Sequence, residues 1–244
     1  ARAGRRGRVP EQVCVYAVVS GGAAGVLRAA GVAGERLRRA RVAGVDTVIG
    51  TVPRVPRPTA AALTRYDQVV RGLMASHGSL LPARFGTCAA SLDELALTVR
   101  ARRAAIRRSL RLVRQRAQMT IRLFRSSEPA RTSFRVGSES VQRQLRVDSG
   151  QGESRGRQFL QQRAADMQIP GSQPLRTAVA RWVRAERVER HDRGRLAGSL
   201  YHLIPRGSAA AYRRAVERAA SEARLTMVVS GPWPPYAFAD LADG

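Results

Sequence analysis

Met119-Thr120-Ile121-Arg122-Leu123-Phe124 is the stretch whose pattern points to the fold. Met119, Ile121 and Leu123 fall on one side of an extended chain, with Thr120 and Arg122 on the other, the period of two that marks a strand with one buried face. Downstream, helical signals run from Arg157 to Met167, pause at Pro170-Gly171, and return from Pro174 through Trp182 to about Glu189. Ala197 to Ile204 reads as a strand, Ser208 is placed to cap a helix carrying Tyr212, Val216 and Ala219, and Leu225 to Val229 reads as a last strand. The order strand, helix, strand, helix, strand predicts one sheet with helices packed on a face and right-handed crossovers.

Working toward the start of the chain, Val13 to Val19 is dense in valine and ends at Ser20-Gly21-Gly22, which predicts a strand. Arg36 to Val42 and Val45 to Val52 predict two more, and the prolines at 53, 56 and 58 stop any further strand. Thr59 is a plausible N-cap for a helix whose face is Leu63, Tyr66, Val70, Leu73 and His77. Gly78 closes it, and Leu80 to Phe85 reads as a short strand. A second helix starts at Ser91, with Asp93 and Glu94 in its first turn, and carries the stripe Leu92, Leu95, Val99, Ile106, Leu110, Val113. The fold class is α+β in two domains: 13–116, and 117–244, preceded by a basic tail over 1–12. Within the second domain 126–156 shifts to Ser, Gly, Gln and charge, a variable segment, and 231–238 forms a proline and aromatic tail.

Composition narrows the function. Of 244 residues 44% are hydrophobic, enough for a core without staples, and only 5% are aromatic, so that core rests on Val, Leu, Ile and Ala. Forty-three basic residues against 18 acidic ones leave +25, and every basic side chain is an arginine. Such a field attracts nucleic acid, an anionic membrane or an acidic protein surface; a nucleotide bias in the source genome would also remove lysine, without explaining so few carboxylates. Eight arginines fall within 100–116, yet a helix with one apolar stripe and charges elsewhere is ordinarily a solvated surface helix. Cys14 and Cys88 have no metal-ligand spacing and read as buried free thiols of a reducing cytosol. No stretch approaches the ~20 apolar residues of a membrane span. VCVYAVV at 13–19 reads as a strand and not as a secretory signal core, since it is short and β-branched.

Catalysis finds no footing in the residues. His77 completes a helical face, His191 lies in a polar turn and His202 in a strand. No His/Cys/Asp spacing suggests a metal and no phosphate loop or nucleophile elbow is present, so no enzyme activity and no cofactor are expected.

The tail Gly231-Pro232-Trp233-Pro234-Pro235-Tyr236-Ala237-Phe238 is the most specific local signal. Its prolines fix φ and remove donors, so Trp233 and Tyr236 ride on a stiff extended backbone, either covering the chain's own core or presenting an interaction surface. A final strand running into Gly-Pro-Trp-Pro-Pro-Tyr-x-Phe resembles the C-terminal signature of the gas vesicle F/L family. Leu81-Pro82-Ala83-Arg84-Phe85-Gly86-Thr87 is similar to that family's Leu-Pro-x-Arg-Phe-Gly-Thr segment. Weaker agreement comes from Tyr16 in the opening strand, Val48 to Pro53, Gly156 to Leu160, and Leu200 to Pro205, so the resemblance covers roughly 13–240. Tyr66 where a histidine is frequent, Cys88 where an aliphatic residue is usual, and the large positive charge depart from the family pattern.

The resemblance implies that the C-terminal domain is a modified ferredoxin-like fold. It also implies a cytoplasmic, gas-vesicle-associated accessory or minor structural protein, needed for assembly, that binds the major shell protein and other accessory proteins. Arg84, Phe85 and Gly86, with the residues of the tail, are then the candidate interaction positions, although the residues themselves favour a structural clamp for Arg84. The reading that competes from another class is an arginine-rich binder of nucleic acid or of an anionic surface.

Overall fold

The structure, a computed structural model, describes residues 11–21, 29–125 and 169–239. Most of the basic tail, the variable segment and the helix expected over 157–167 lie outside the described residues. Two antiparallel sheets, each with helices against it, make up the described residues.

The first sheet is built on β1 (Gln12–Ser20), which pairs with β3 (Val45–Val52) on one side and with β4 (Ser79–Pro82) and β5 (Cys88–Ala89) on the other. β2 (Arg38–Val42) closes the far edge against β3. β1 is apolar without alternation because both of its faces are covered. Tyr16, Ala17 and Val19 pack with Tyr66, Val69, Val70 and Leu73 of α1 (Ala60–Ser76), while Val13, Val15 and Val18 pack with Leu95, Val99, Ile106 and Leu110 of α2 (Leu92–Leu112). A register shift between Val15 and Ala17 lets neighbouring residues face these two cores. Both helix starts match the sequence. The Thr59 hydroxyl accepts from the Ala62 amide at 3.2 Å, and the Ser91 hydroxyl accepts from the Glu94 amide at 3.2 Å. Glu94 reaches back to the Ala90 amide at 2.7 Å, a reciprocal arrangement at the α2 start.

The second sheet has the order β7-β8-β6-β9, with β6 (Arg116–Phe124) and β8 (Leu196–Pro205) central and β7 (Ala185–Arg190) and β9 (Met227–Trp233) at its edges. Met119, Ile121 and Leu123 point into a core with Leu175 and Val179 of α3 (Gln173–Val179) and with Tyr212, Val216 and Ala219 of α4 (Ala209–Glu222).

Several expectations are corrected. Residues 185–189, expected to continue a helix, form β7. Ala, Glu and Arg favour helix locally, but pairing with β8 from Ala185↔Leu203 to Arg190↔Gly198 outweighs that preference. Leu63 is 45% exposed and Leu92 is 40% exposed, so each stripe begins one turn later than its periodicity suggested, at the first residue the sheet covers. Ser208 occupies the N-cap position of α4 but its side chain makes no capping bond, because a 3-10 turn over Arg206–Ser208 leads into the helix. Cys14 and Cys88, expected as free thiols, are bonded to each other. They are directly opposed in the β1–β5 pairing with Cα atoms 4.0 Å apart, a closeness that their 74-residue separation concealed.

Candidate functional site

The two motif blocks converge on one helix. β4 ends at Pro82, and Arg84-Phe85-Gly86-Thr87 then turns the chain, the Thr87 amide donating to the Arg84 carbonyl at 3.1 Å. Gly86 has φ +80°, the left-handed value that the third position of such a turn needs. The Phe85 ring meets Tyr66 of α1 edge-on at 5.5 Å, and Tyr66 stacks on Tyr16 at 5.3 Å. The Tyr66 hydroxyl lies 2.7 Å from the Ala83 carbonyl and 3.1 Å from that of Tyr16, so it ties helix to sheet, and burial raises the pKa of its hydroxyl. Arg84 points outward and is exposed.

The tail reaches the same helix from the other sheet. Gly231 has φ +113°, and a Cβ there would lie 2.7 Å from the Gln118 carbonyl oxygen, so only glycine fits against β6. The Arg213 guanidinium of α4 holds the Val229 and Gly231 carbonyls at 2.9 and 2.8 Å. Beyond the cis Gly231–Pro232 bond, the Trp233 ring lies under the Arg71 guanidinium at 4.0 Å. Arg71 pairs with Asp67 at 2.5 Å, and the Tyr236 hydroxyl is 3.4 Å from the other oxygen of Asp67. Burial, followed by the nearby Asp67 charge, raises the Tyr236 pKa. Pro234 and Pro235 are buried, the Ala237 amide donates to the Gln118 side chain at 2.8 Å, and Phe238 is 3% exposed among Leu81, Ala83 and Leu203. The tail therefore fastens the second sheet to α1 and β4, leaving Pro232 and the edge of Tyr236 facing solvent.

A second polar cluster escaped the sequence reading. His202 of β8 places Nε2 2.7 Å from Glu186 of β7 and Nδ1 2.6 Å from the Tyr212 hydroxyl, and Glu186 also pairs with Arg176 at 3.0 Å. Burial pushes the Glu186 carboxyl up, but the His202 bond, its charge and Arg176 outweigh it and leave the pKa below the usual carboxylate range. His202 is 1% exposed, so the cluster joins strand, strand and helices and offers no surface to a substrate. A signal that could have found it is the alternation in β8 that points His202 to the face carrying Leu200 and Ile204. That reading requires 185–190 to be recognised as the neighbouring strand.

Among the described residues no group of three or more His, Cys, Asp or Glu could hold a metal ion, and no helix is long and apolar enough to cross a membrane. The two motif blocks thus form a junction of rings, prolines and one guanidinium within the chain, with Arg84, Pro232 and part of Tyr236 at its surface.

Comparison with known proteins gives this architecture its relatives. The crystal structure of the gas vesicle protein GvpF from Anabaena sp. PCC7120 superposes with a TM-score of 0.69 at 13% identity, covering 96% of this chain and 100% of that one. GvpF from Microcystis aeruginosa gives 0.69 at 13% identity, with 94% and 99% covered. No curated protein matches the sequence. The sequence model of the gas vesicle synthesis protein GvpL/GvpF family matches residues 12–240, a span that contains both sheets and both motif blocks. This chain belongs to the gas vesicle synthesis protein GvpL/GvpF family.

Proposed function

We propose that this protein is an accessory or minor structural component needed for gas vesicle assembly, working in the cytoplasm by binding the major shell protein and other accessory proteins and not by catalysis. The observation that carries this reading is the family match across residues 12–240, together with both motif blocks meeting on α1. In this reading the chain divides into two α+β domains near the start of β6. The strand–helix–strand–strand–helix–strand succession and the order β7-β8-β6-β9 support a modified ferredoxin-like assignment for the second.

The proposed mechanism keeps shell subunits from aggregating before they join the growing wall. Edge strands β2 and β7 have a side with no strand partner among the described residues, which an extended segment of a partner can use, and Val228 on the β9 edge, 51% exposed, offers an apolar contact. Arg84 and the solvent-facing parts of Pro232, Trp233 and Tyr236 are the proposed interaction positions. The test is co-expression of the major shell protein with and without this chain, reading the soluble fraction after sedimentation. More soluble shell protein with the chain present is expected; equal solubility would sink the chaperone-like mechanism.

A further inference from the structure

The end of β1 (Ser20, Gly21), the turn into β4 (Gly78, Ser79) and the last two turns of α2 line an open cavity of about 530 Å³. Arg107, Arg111 and Arg114 line it from α2 and the turn that follows, at the i, i+4 and i+7 spacing that puts three side chains on one helical face. Among the described residues no carboxylate lines it, and none makes an ion pair or side-chain hydrogen bond with these three guanidiniums. Like charges at this spacing repel one another. The C-terminal dipole of α2 offsets them with only about half an elementary charge, and it fades within the last turn, short of Arg107.

The neutral lining fits the charges. Ser20 and Ser79 bring hydroxyls and Gln115 a carboxamide, all able to donate. Gln115 is held at φ +54°, its amide donating to the Gly78 carbonyl at 2.8 Å, which closes the α2 end onto the turn. Gly21, with φ +70°, stands beside Gly78, and the two glycines leave bare backbone along that wall.

We propose that this cavity binds a compact anion carrying two or three adjacent phosphate groups, as in free polyphosphate or a nucleoside di- or triphosphate. Guanidinium forks pair with phosphate oxygens two at a time, and three forks around one hollow match a short phosphate chain better than a single oxyanion. The volume falls in the range of small-ligand sites, roughly 300–1,000 Å³. A concave cavity does not follow an extended backbone, so the arginines of 107–114 are assigned to a small molecule and not to a nucleic-acid strand. The proposal does not depend on the gas vesicle reading.

Titration calorimetry of the full chain at constant ionic strength tests it, with tripolyphosphate, ATP and adenosine as probes. Saturable one-to-one binding of tripolyphosphate is expected. It should weaken at least roughly tenfold in Arg111→Ala/Arg114→Ala, which removes two charge-assisted partners. Arg100→Ala/Arg108→Ala removes the same charge from α2 outside the cavity and should leave the affinity within about twofold. ATP binding more tightly than tripolyphosphate identifies a nucleotide ligand, equal affinities identify the phosphate chain alone, and both support the site. Absence of saturable binding to either phosphate probe, or equal weakening in the two variants, overturns it in favour of a diffuse arginine field.

Discussion

Gly231 carries the tightest backbone constraint in the tail, since a methyl group there would collide with the β6 backbone at Gln118 and the φ of +113° is strained for any other residue. Gly231→Ala is expected to lower unfolding free energy by more than about 2 kcal/mol, read from the urea midpoint. A smaller cost follows at Arg71, whose guanidinium covers Trp233 and pairs with Asp67 on an exposed helix face. Arg71→Ala should cost about 1 kcal/mol and red-shift the tryptophan emission. Tyr212→Phe leaves the buried Nδ1 of His202 without its partner and should cost about 1–3 kcal/mol. The pH dependence has a definite sign. Glu186, and Asp46 beside Arg39, are held below their ordinary values although burial, the largest influence on each, acts the other way. Their contribution is therefore complete above the unfolded carboxylate range, about 4 to 4.5, and is lost as the pH falls through the lower folded values. Urea midpoints should drop between about pH 5 and pH 3, and less steeply in Glu186→Gln; an unchanged slope would remove Glu186 from the account.

Two helix starts were legible because one residue type fixes each boundary. Thr59 and Ser91 mark helix starts because a side-chain oxygen must satisfy an end amide, and the structure places both at those bonds. Ser91→Ala should cost about 1 kcal/mol of stability, since the Glu94 backbone amide then loses its acceptor. β6 showed itself by alternation at Met119, Ile121 and Leu123, and β1 by an unbroken apolar run, dense in valine, that two covering helices explain. β7 was not legible. Ala185-Glu186-Arg187 has helical propensity, and only pairing with β8, the next element along the chain, makes it a strand. The Cys14–Cys88 bond was hidden for the same reason, because β5 is two residues long and owes its existence to β1.

At the scale of the molecule, the tail helps to join one sheet to the other, beside the Arg206 contact to the Met74 carbonyl and Leu203 in the first core. Its motif was readable, but its destination was not, since neither Asp67 nor Arg71 announces a partner more than 160 residues away. Phe238 is the anchor of that junction, buried with residues of both sheets, and Phe238→Ala is expected to cost about 3–5 kcal/mol. The central claim is that this fold works by holding other gas vesicle proteins. Its most direct test is a pull-down of the major shell protein by this chain from nuclease-treated co-expression lysate at moderately high salt. Salt of that strength screens phosphate-backbone contacts steeply and apolar contacts little. Recovery of the shell protein is the predicted result. Loss of the shell protein, with nucleic acid retained when nuclease is omitted, would contradict the account and turn the arginine-rich surface into the functional one.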